Sequence, residues 1–497
     1  MTTTANLELL PDDCVLAIFE WLTLDDLCAF SGTCKRFQML GQQYFRIHFP
    51  NEVNTEVEVK IGSKGKICVS PHKSYLKCFQ KFITNISIVS YDHDGEESED
   101  DESSEDDEPS ADEDPADERI RQMSLVVNFM NRKCNRINRI CVEGDVDLDS
   151  FIHASGNKAK KILRSAETVV FKDRNHSGVD EAKFLMRCPN ITTLIMEDGI
   201  AMQNCNAIFQ QMYPKLEHFY YIRSYGTDLR IDNLKTFFRH HPKIKTVAWM
   251  FHYDDAEDDA LKCLQMVDYV SNLEHMFLLI DRLLADNFNS ICNYLNVLCN
   301  RENFQCLEIE FSGEEGAAAL KANSKFLAKL KQCTKIHVTC MLLTEVIPAL
   351  QSLTYLKTLS LADLTFEEDW NDYFETDDLV RLVDNTRNID LPSIEEVHLI
   401  DMDDEHLYVY ILQFVSNWSK LKRIFLPACI WSDTVLHDSF LETLSRQRKK
   451  LKNSCELTIF TNHNGNKTNL KHDLVKVKFA EFKFHPFRQY ASVSDCE

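Results

Sequence analysis

The chain has 497 residues, enough for one large core or several small domains, and 44% of them are hydrophobic, an ordinary share for a globular protein. Its formal charge is −23, yet Asp92 to Glu118 hold 17 Asp or Glu and no Lys or Arg, so removing those 17 charges leaves −6. That distribution argues against nucleic-acid binding by electrostatics, and the lack of any run of 18 apolar residues argues against a membrane span.

Three short helices are predicted first. Pro11 suits the first position of a helix, where a missing N–H costs nothing, and Asp12 and Asp13 favour its positive end. Val15, Ile18, Phe19 and Leu22 recur at helical spacing as one apolar stripe. Asp25 and Asp26 can cap a second helix that holds Leu27 and Phe30. Cys34 to Phe49 reads as a third, with Phe37, Leu40, Tyr44, Phe45 and His48. Three helices in roughly forty residues cannot bury that much apolar surface alone, which points to a partner surface.

The run Leu10-Pro11-Asp12-Asp13, Ile18-Phe19-Glu20-Trp21-Leu22, Asp26-Leu27 and Cys34-Lys35-Arg36-Phe37 resembles the F-box. The resemblance implies a module over residues 7–50 that binds the Skp-type adaptor of SCF ubiquitin ligases and, through it, cullin and RING subunits. Carried over residue by residue, the adaptor contacts would be Leu10, Pro11, Val15, Ile18, Phe19, Leu22, Leu27, Cys34, Lys35 and Phe37. Two positions depart from the family pattern. Cys14 stands where Leu or Ile is usual, and Thr33 where Val is frequent.

Residues 51–80 form a connecting segment. Val57, Val59 and Ile61 alternate with charged residues before Gly62 and Gly65, which predicts a small hairpin.

Beyond it, over residues 81–470, a pattern apolar-x-x-apolar-x-apolar recurs. Clear copies begin at Ile191, Leu216, Ile244, Leu273, Leu356, Ile394 and Leu421, and weaker ones at Ile83, Ile137, Ala166, Phe304, Cys333 and Ser454. From Ile137 onward the steps run from 23 to 38 residues. One short strand per unit at that period resembles leucine-rich repeats. Helical stretches such as Asp258 to Val270 and Phe288 to Leu298 lie between strands. The predicted fold class is therefore α/β: a small three-helix F-box, then a curved leucine-rich-repeat solenoid with one short parallel strand and a helix per repeat. Residues 471–497 would form a C-terminal cap and tail. The Asn that closes many such repeats is mostly missing here.

The step from Ile83 to Ile137 is 54 residues, long by about one repeat, and the acidic run 92–118 sits inside it. It reads as a disordered insertion between a strand at Ile83–Val89 and a helix at Glu118–Asn131. Ser98, Ser104 and Ser110, each followed by acidic residues, resemble sites of acid-directed casein-type kinases.

If the repeats hold, strand residues that alternate with the core ones face the concave side. That places Ile195, Tyr220, Ile222, Met250, Phe277 and Leu279 in an exposed apolar stripe, a candidate substrate surface. A C-terminal tail rich in Phe could instead fold over it, and a register error of one residue would bury the set.

No catalytic, cofactor or metal motif stands out. Gly62-Ser63-Lys64-Gly65-Lys66 is too short for a phosphate loop and lacks the following Ser or Thr. Cys292, Cys299 and Cys306 are seven apart, two helical turns rather than a zinc spacing. The 18 cysteines show no C-x-x-C pair and read as reduced, mostly buried thiols. The start Met1-Thr2-Thr3-Thr4-Ala5-Asn6 has neither the basic nor the apolar region of a signal peptide, so a cytoplasmic or nuclear location is expected. The leading functional expectation is a non-enzymatic substrate receptor of an SCF-type ubiquitin ligase, with an unknown protein substrate. The alternative is an acidic leucine-rich scaffold or chaperone for basic proteins such as histones.

Overall fold

The computed structural model describes residues 10–49, 56–61, 67–70, 79, 83–90, 115–134, 136–144, 146–154, 156–172, 179–197, 202–223, 231–251, 262, 264–280, 288–339, 348–362, 391–400, 404–426, 438–461 and 471–479. It divides into two compact units, one of residues 1–219 and 227–241, the other of 220–226 and 242–497. The fold is α/β, with three helices followed by parallel strands that alternate with helices.

The helices are α1 (Asp12–Phe19), α2 (Leu24–Ser31) and α3 (Lys35–His48). Pro11 precedes α1 in an extended conformation, and its carbonyl accepts from the N–H groups of Cys14 and Val15. The cap of α2 is Thr23, whose hydroxyl accepts from the Asp26 N–H. Asp25 and Asp26, expected as the cap, lie in the first turn instead, where the helix dipole favours them. Cys34 caps α3 by accepting from the Phe37 N–H at 3.4 Å.

In the first unit β1 (Glu56–Ile61) and β2 (Ile67–Ser70) form the predicted antiparallel hairpin. The hairpin also starts the sheet, because β1 pairs in parallel with β3 (Asn85–Ser90). Then β4 (Arg139–Gly144), β5 (Thr168–Lys172) and β6 (Thr193–Met196) follow in parallel. The next strand is β7 (His218–Arg223), of which residues 218–219 belong to this unit and 220–223 to the second. The helix preceding β4 begins at Pro115 rather than Glu118 and ends at Lys133, so the last four residues of the acidic run are helical. The rest of that run, with Ser98, Ser104 and Ser110, lies outside the described residues, as does Gly62 to Lys66.

In the second unit the strands are β8 (Thr246–Phe251), β9 (His275–Ile280), β10 (Cys306–Ser312), β11 (Cys333–Thr339), β12 (Thr358–Ala362), β13 (Glu396–Ile400), β14 (Arg423–Leu426) and β15 (Leu457–Thr461). They pair in parallel, each with the next. A short antiparallel strand, β16 (Lys471–His472), leads into β17 (Val475–Phe479), which pairs in parallel with β15. The described part of the C-terminal segment thus extends the sheet edge. Phe482 and the later aromatic residues lie outside the described residues.

A recurring backbone pattern marks the repeat more clearly than side chains do. At strand entries two successive N–H groups donate to one carbonyl of the preceding unit. Glu167 and Thr168 donate to Asn138, Thr192 and Thr193 to Glu167, and Glu217 and His218 to Thr192. In the second unit Gln305 and Cys306 donate to Glu274, Glu395 and Glu396 to Lys357, and Lys422 and Arg423 to Glu395. Each of these carbonyls accepts two bonds, so both donors of every such pair are satisfied.

The apolar triplets fill the helix side of the sheet. Phe219 meets Phe209, Phe237 and Phe238, and Phe311 meets Phe288, in edge-on or tilted ring contacts. Three single residues fix local geometry. His241 is buried and accepts from the Tyr213 N–H at Nε2 (2.7 Å) while Nδ1–H donates to the Phe237 carbonyl (2.6 Å). Arg448 is wholly buried and donates to the carbonyls of Trp418, Ser419, Leu421 and Cys455, tying two turns together. Gly144 ends β4 at φ +69°, and a Cβ there would stand 2.2 Å from the Ser90 carbonyl oxygen.

Candidate functional site

The three helices enclose a core of Val15, Phe19, Leu27, Cys28, Phe37, Leu40, Tyr44 and Phe45. It is completed within the chain. Phe79 of the connecting segment is 1% exposed and stacks on Phe45 with ring centroids 4.3 Å apart. The apolar excess that suggested a partner is therefore met partly by the chain itself. Helices α2 and α3 approach closely at Gly41, where a Cβ would fall 1.9 Å from Ser31 Oγ.

This packing separates the ten expected adaptor contacts into two sets. Val15, Phe19, Leu27 and Phe37 are buried in the module's own core. These side chains pack against one another and hold the three helices together. Pro11 and Lys35 are exposed, and Leu10, Ile18, Leu22 and Cys34 are half-buried. Cys34 is also engaged as the α3 cap.

The same geometry adds a residue that the sequence reading passed over. Trp21, just past the end of α1, is 88% exposed. It follows Cys14 and Ile18 at helical intervals, and its N–H donates to the Ile18 carbonyl. A tryptophan left in solvent is the kind of side chain that anchors protein interfaces. The signal in the sequence was its place one turn beyond Ile18. Arg36 fixes the neighbouring chain: its guanidinium donates to the Leu10 carbonyl and to Asp12 Oδ1. The stretch that carries Leu10 and Pro11 is thereby held against α3.

The expected substrate stripe is corrected by burial. Alternation along the strands does place Ile195, Tyr220, Phe277 and Leu279 opposite the helices, since their neighbours Phe219 and Leu278 belong to the buried triplets. But Ile195, Phe277 and Leu279 are at most 3% exposed, so they are not an exposed stripe. Strands about 4.8 Å apart let side chains of one row cover each other. Phe277 aligns between Ala248 and Glu308, and its ring centroid lies 5.8 Å from that of His337. Tyr220 is half-buried, and its phenol is pushed up to about 12 by burial and then by the charge of Glu308. Ile222 and Met250 lie in β7 and β8, but their side chains are outside the described set.

Further along this face the side chains become polar. Strand register aligns Glu308, Lys335, Thr358, Glu396, Arg423, Thr458 and Lys476 in one row. A second row aligns Glu310, His337, Ser360, His398, Phe425, Phe460 and Lys478. His337 Nε2 donates to Glu308 (2.5 Å) and His398 Nε2 to Glu396 (2.7 Å). Ser360 sits between the two histidine positions, fully buried, with its hydroxyl unpaired. Both imidazoles turn Nε2 to a carboxylate, so neither serves Ser360 as the base of a nucleophilic relay through that atom. Glu396 is held below the usual carboxylate range: burial opposes its charge, but His398, Arg423 and Lys335 outweigh it.

Among the described residues, no group of three His, Cys, Asp or Glu could hold a metal ion, and no helix is long and apolar enough to cross a membrane. Every described cysteine is a free thiol. Burial pushes those of Cys134, Cys292 and Cys299 up to about 12, which disfavours the reactive thiolate.

A family model of the F-box domain matches residues 7–42, the stretch that forms α1, α2 and the first half of α3. A search of curated proteins finds no match to the chain. An F-box implies docking on a Skp-type adaptor, which makes the outer side of α1 the candidate binding surface.

Proposed function

We propose that the chain is the substrate-binding subunit of an SCF-type cullin-RING ubiquitin ligase. The F-box match at residues 7–42 carries this reading. Leu10, Pro11, Ile18, Trp21, Leu22 and Lys35 contact the adaptor, while Val15, Phe19, Leu27 and Phe37 keep the docking surface in shape. The strand–helix repeats are of the leucine-rich kind and hold a protein substrate near the ubiquitin-loaded enzyme. Rate enhancement is by proximity, and the chain supplies no reacting group. The complex works in the cytoplasm, the nucleus or both. Affinity purification of the full chain from cells tests this reading. Adaptor, cullin and RING subunits should co-purify, and their absence beside a histone-like basic partner would favour the acidic-scaffold alternative.

A further inference from the structure

The two polar rows on the sheet face of the second unit differ in which charges reach solvent. The acids lie low: the side chains of Glu308 and Glu396 are 9% and 16% exposed, and each is engaged by a histidine and a cation. The cations stand out, with Lys335 at 42% and Arg423 at 54%. Lys478, at the end of the second row, is also exposed. Glu456 is the exposed exception, and it pairs with Lys476 at the strand entry. The accessible charge of the face is thus cationic even though its side chains include several carboxylates.

Between those cations runs an aromatic ladder. His398 lies 4.7 Å from Phe425, Phe425 stacks on Phe460 at 4.8 Å with planes 8° apart, and Lys478 lies over Phe460. Phe425 and Phe460 are half-buried, so part of each ring remains accessible. Among the described residues, the alternate strand positions Val397, Leu399, Ile424 and Ile459, which point to the other side of the sheet, are fully buried.

We infer that this face, centred on His398, Arg423, Phe425, Phe460 and Lys478, binds an extended acidic protein segment that carries aromatic side chains. The inference rests on the receptor reading above and names the chemistry of its substrate. Carboxylates of the segment pair with Arg423, Lys478 and Lys335, and its aromatic side chains lie along the Phe425–Phe460 ladder. From β11 to β17 the face spans six strands, about 24 Å at the usual spacing, which about seven residues of extended chain would cross. Burying the accessible ring edges supplies affinity, and the flanking cations set the sign of the partner's charge.

Fluorescence anisotropy with the full chain and a labelled twelve-residue peptide of alternating Glu and Tyr tests this. The peptide should bind, more weakly as salt rises, and a Lys–Tyr peptide of the same length should not. Lys478→Glu, an exposed change, should weaken binding about tenfold, and Arg423→Glu similarly, while Lys321→Glu on the helix Gly313–Leu327 should change nothing. Equal binding of the Lys–Tyr peptide, or unchanged affinity in both charge-reversal variants, would overturn the inference. Tighter binding of a twelve-nucleotide dT strand would also overturn it, by making the face a nucleic-acid surface. Adaptor binding measured on the same samples separates this failure from failure of the receptor reading: an intact adaptor complex without peptide binding counts only against the inference.

Discussion

His241 should make stability fall with acid in a defined window. Its neutral ring accepts one backbone bond and donates another, and protonation would turn the accepting Nε2 into a donor facing the Tyr213 N–H. Burial lowers its pKa from 6.5 to about 4, with His240 adding in the same sense and the Phe237 carbonyl opposing. The unfolded chain then binds the proton more readily, so the stability is present above about pH 6.5 and is lost as pH falls toward 4. Between pH 7 and 5 the loss from this group is about 2 kcal/mol, since each pKa unit is worth about 1.4 kcal/mol. His241→Leu removes the titration and both bonds. At pH 7 the variant should be less stable than wild type by about 2 to 3 kcal/mol, from two unpaired backbone groups offset by a non-polar replacement. At pH 5 the gap should nearly close. Urea denaturation at both pH values, followed by backbone circular dichroism, measures the two gaps. A gap that stays constant between pH 7 and 5, or an NMR titration placing His241 near 6.5, would show that burial does not hold this ring neutral.

Substitutions at Gly144 and Arg448 probe the stacking of repeats. Gly144→Ala forces a side chain onto a backbone at φ +69° and against the Ser90 carbonyl, so thermal unfolding should show a loss of about 2 to 4 kcal/mol, whereas Gly156→Ala, with open space around it, should cost about 1 to 2 kcal/mol. Arg448→Met leaves four carbonyls without their charged donor and should cost about 3 kcal/mol or more. Arg448→Lys should restore little of it, because three ammonium donors on a flexible stem cannot reproduce the planar fork. Full stability in the Lys variant would show that charge alone is needed there.

The repeat was legible because its signal is periodic and local. Every apolar triplet, from the one at Ile83 to the one at Ser454, carries a strand, including weak copies that begin with Ala166, Cys333 or Ser454. Alternation separates Tyr220 and Phe277 from the buried triplet residues Phe219 and Leu278 beside them, but it does not set their exposure. Exposure depends on cross-strand neighbours, and the pairing of Phe277 with Ala248 and Glu308 is set by register between units far apart in sequence. The same limit applied to the F-box. Its helices followed from Pro11, the Val15–Phe19 stripe and Cys34, whereas the division into core and surface follows from three-helix packing and from Phe79, some thirty residues beyond. Thr23 displaced Asp25 and Asp26 as the cap because its β-region backbone brings the hydroxyl to the Asp26 N–H, while the two acids already lie inside the helix. Arg448 was hidden for a different reason. A cation in a lysine-rich run reads as surface, and only the turn it meets at Trp418 to Leu421 explains its burial.

Docking of a Skp-type adaptor on the outer side of α1 is open to direct measurement. Isothermal titration of the purified full chain with that adaptor measures it directly. Wild type should bind with one-to-one stoichiometry, and the double change Leu10→Ala and Pro11→Ala should weaken binding by at least about 2 kcal/mol, roughly thirtyfold, without altering thermal unfolding of the repeats. Trp21→Ala should also weaken it, by more than about 1 kcal/mol. No heat of binding for the wild-type chain, or the same affinity in the double variant, would show that the adaptor does not dock there.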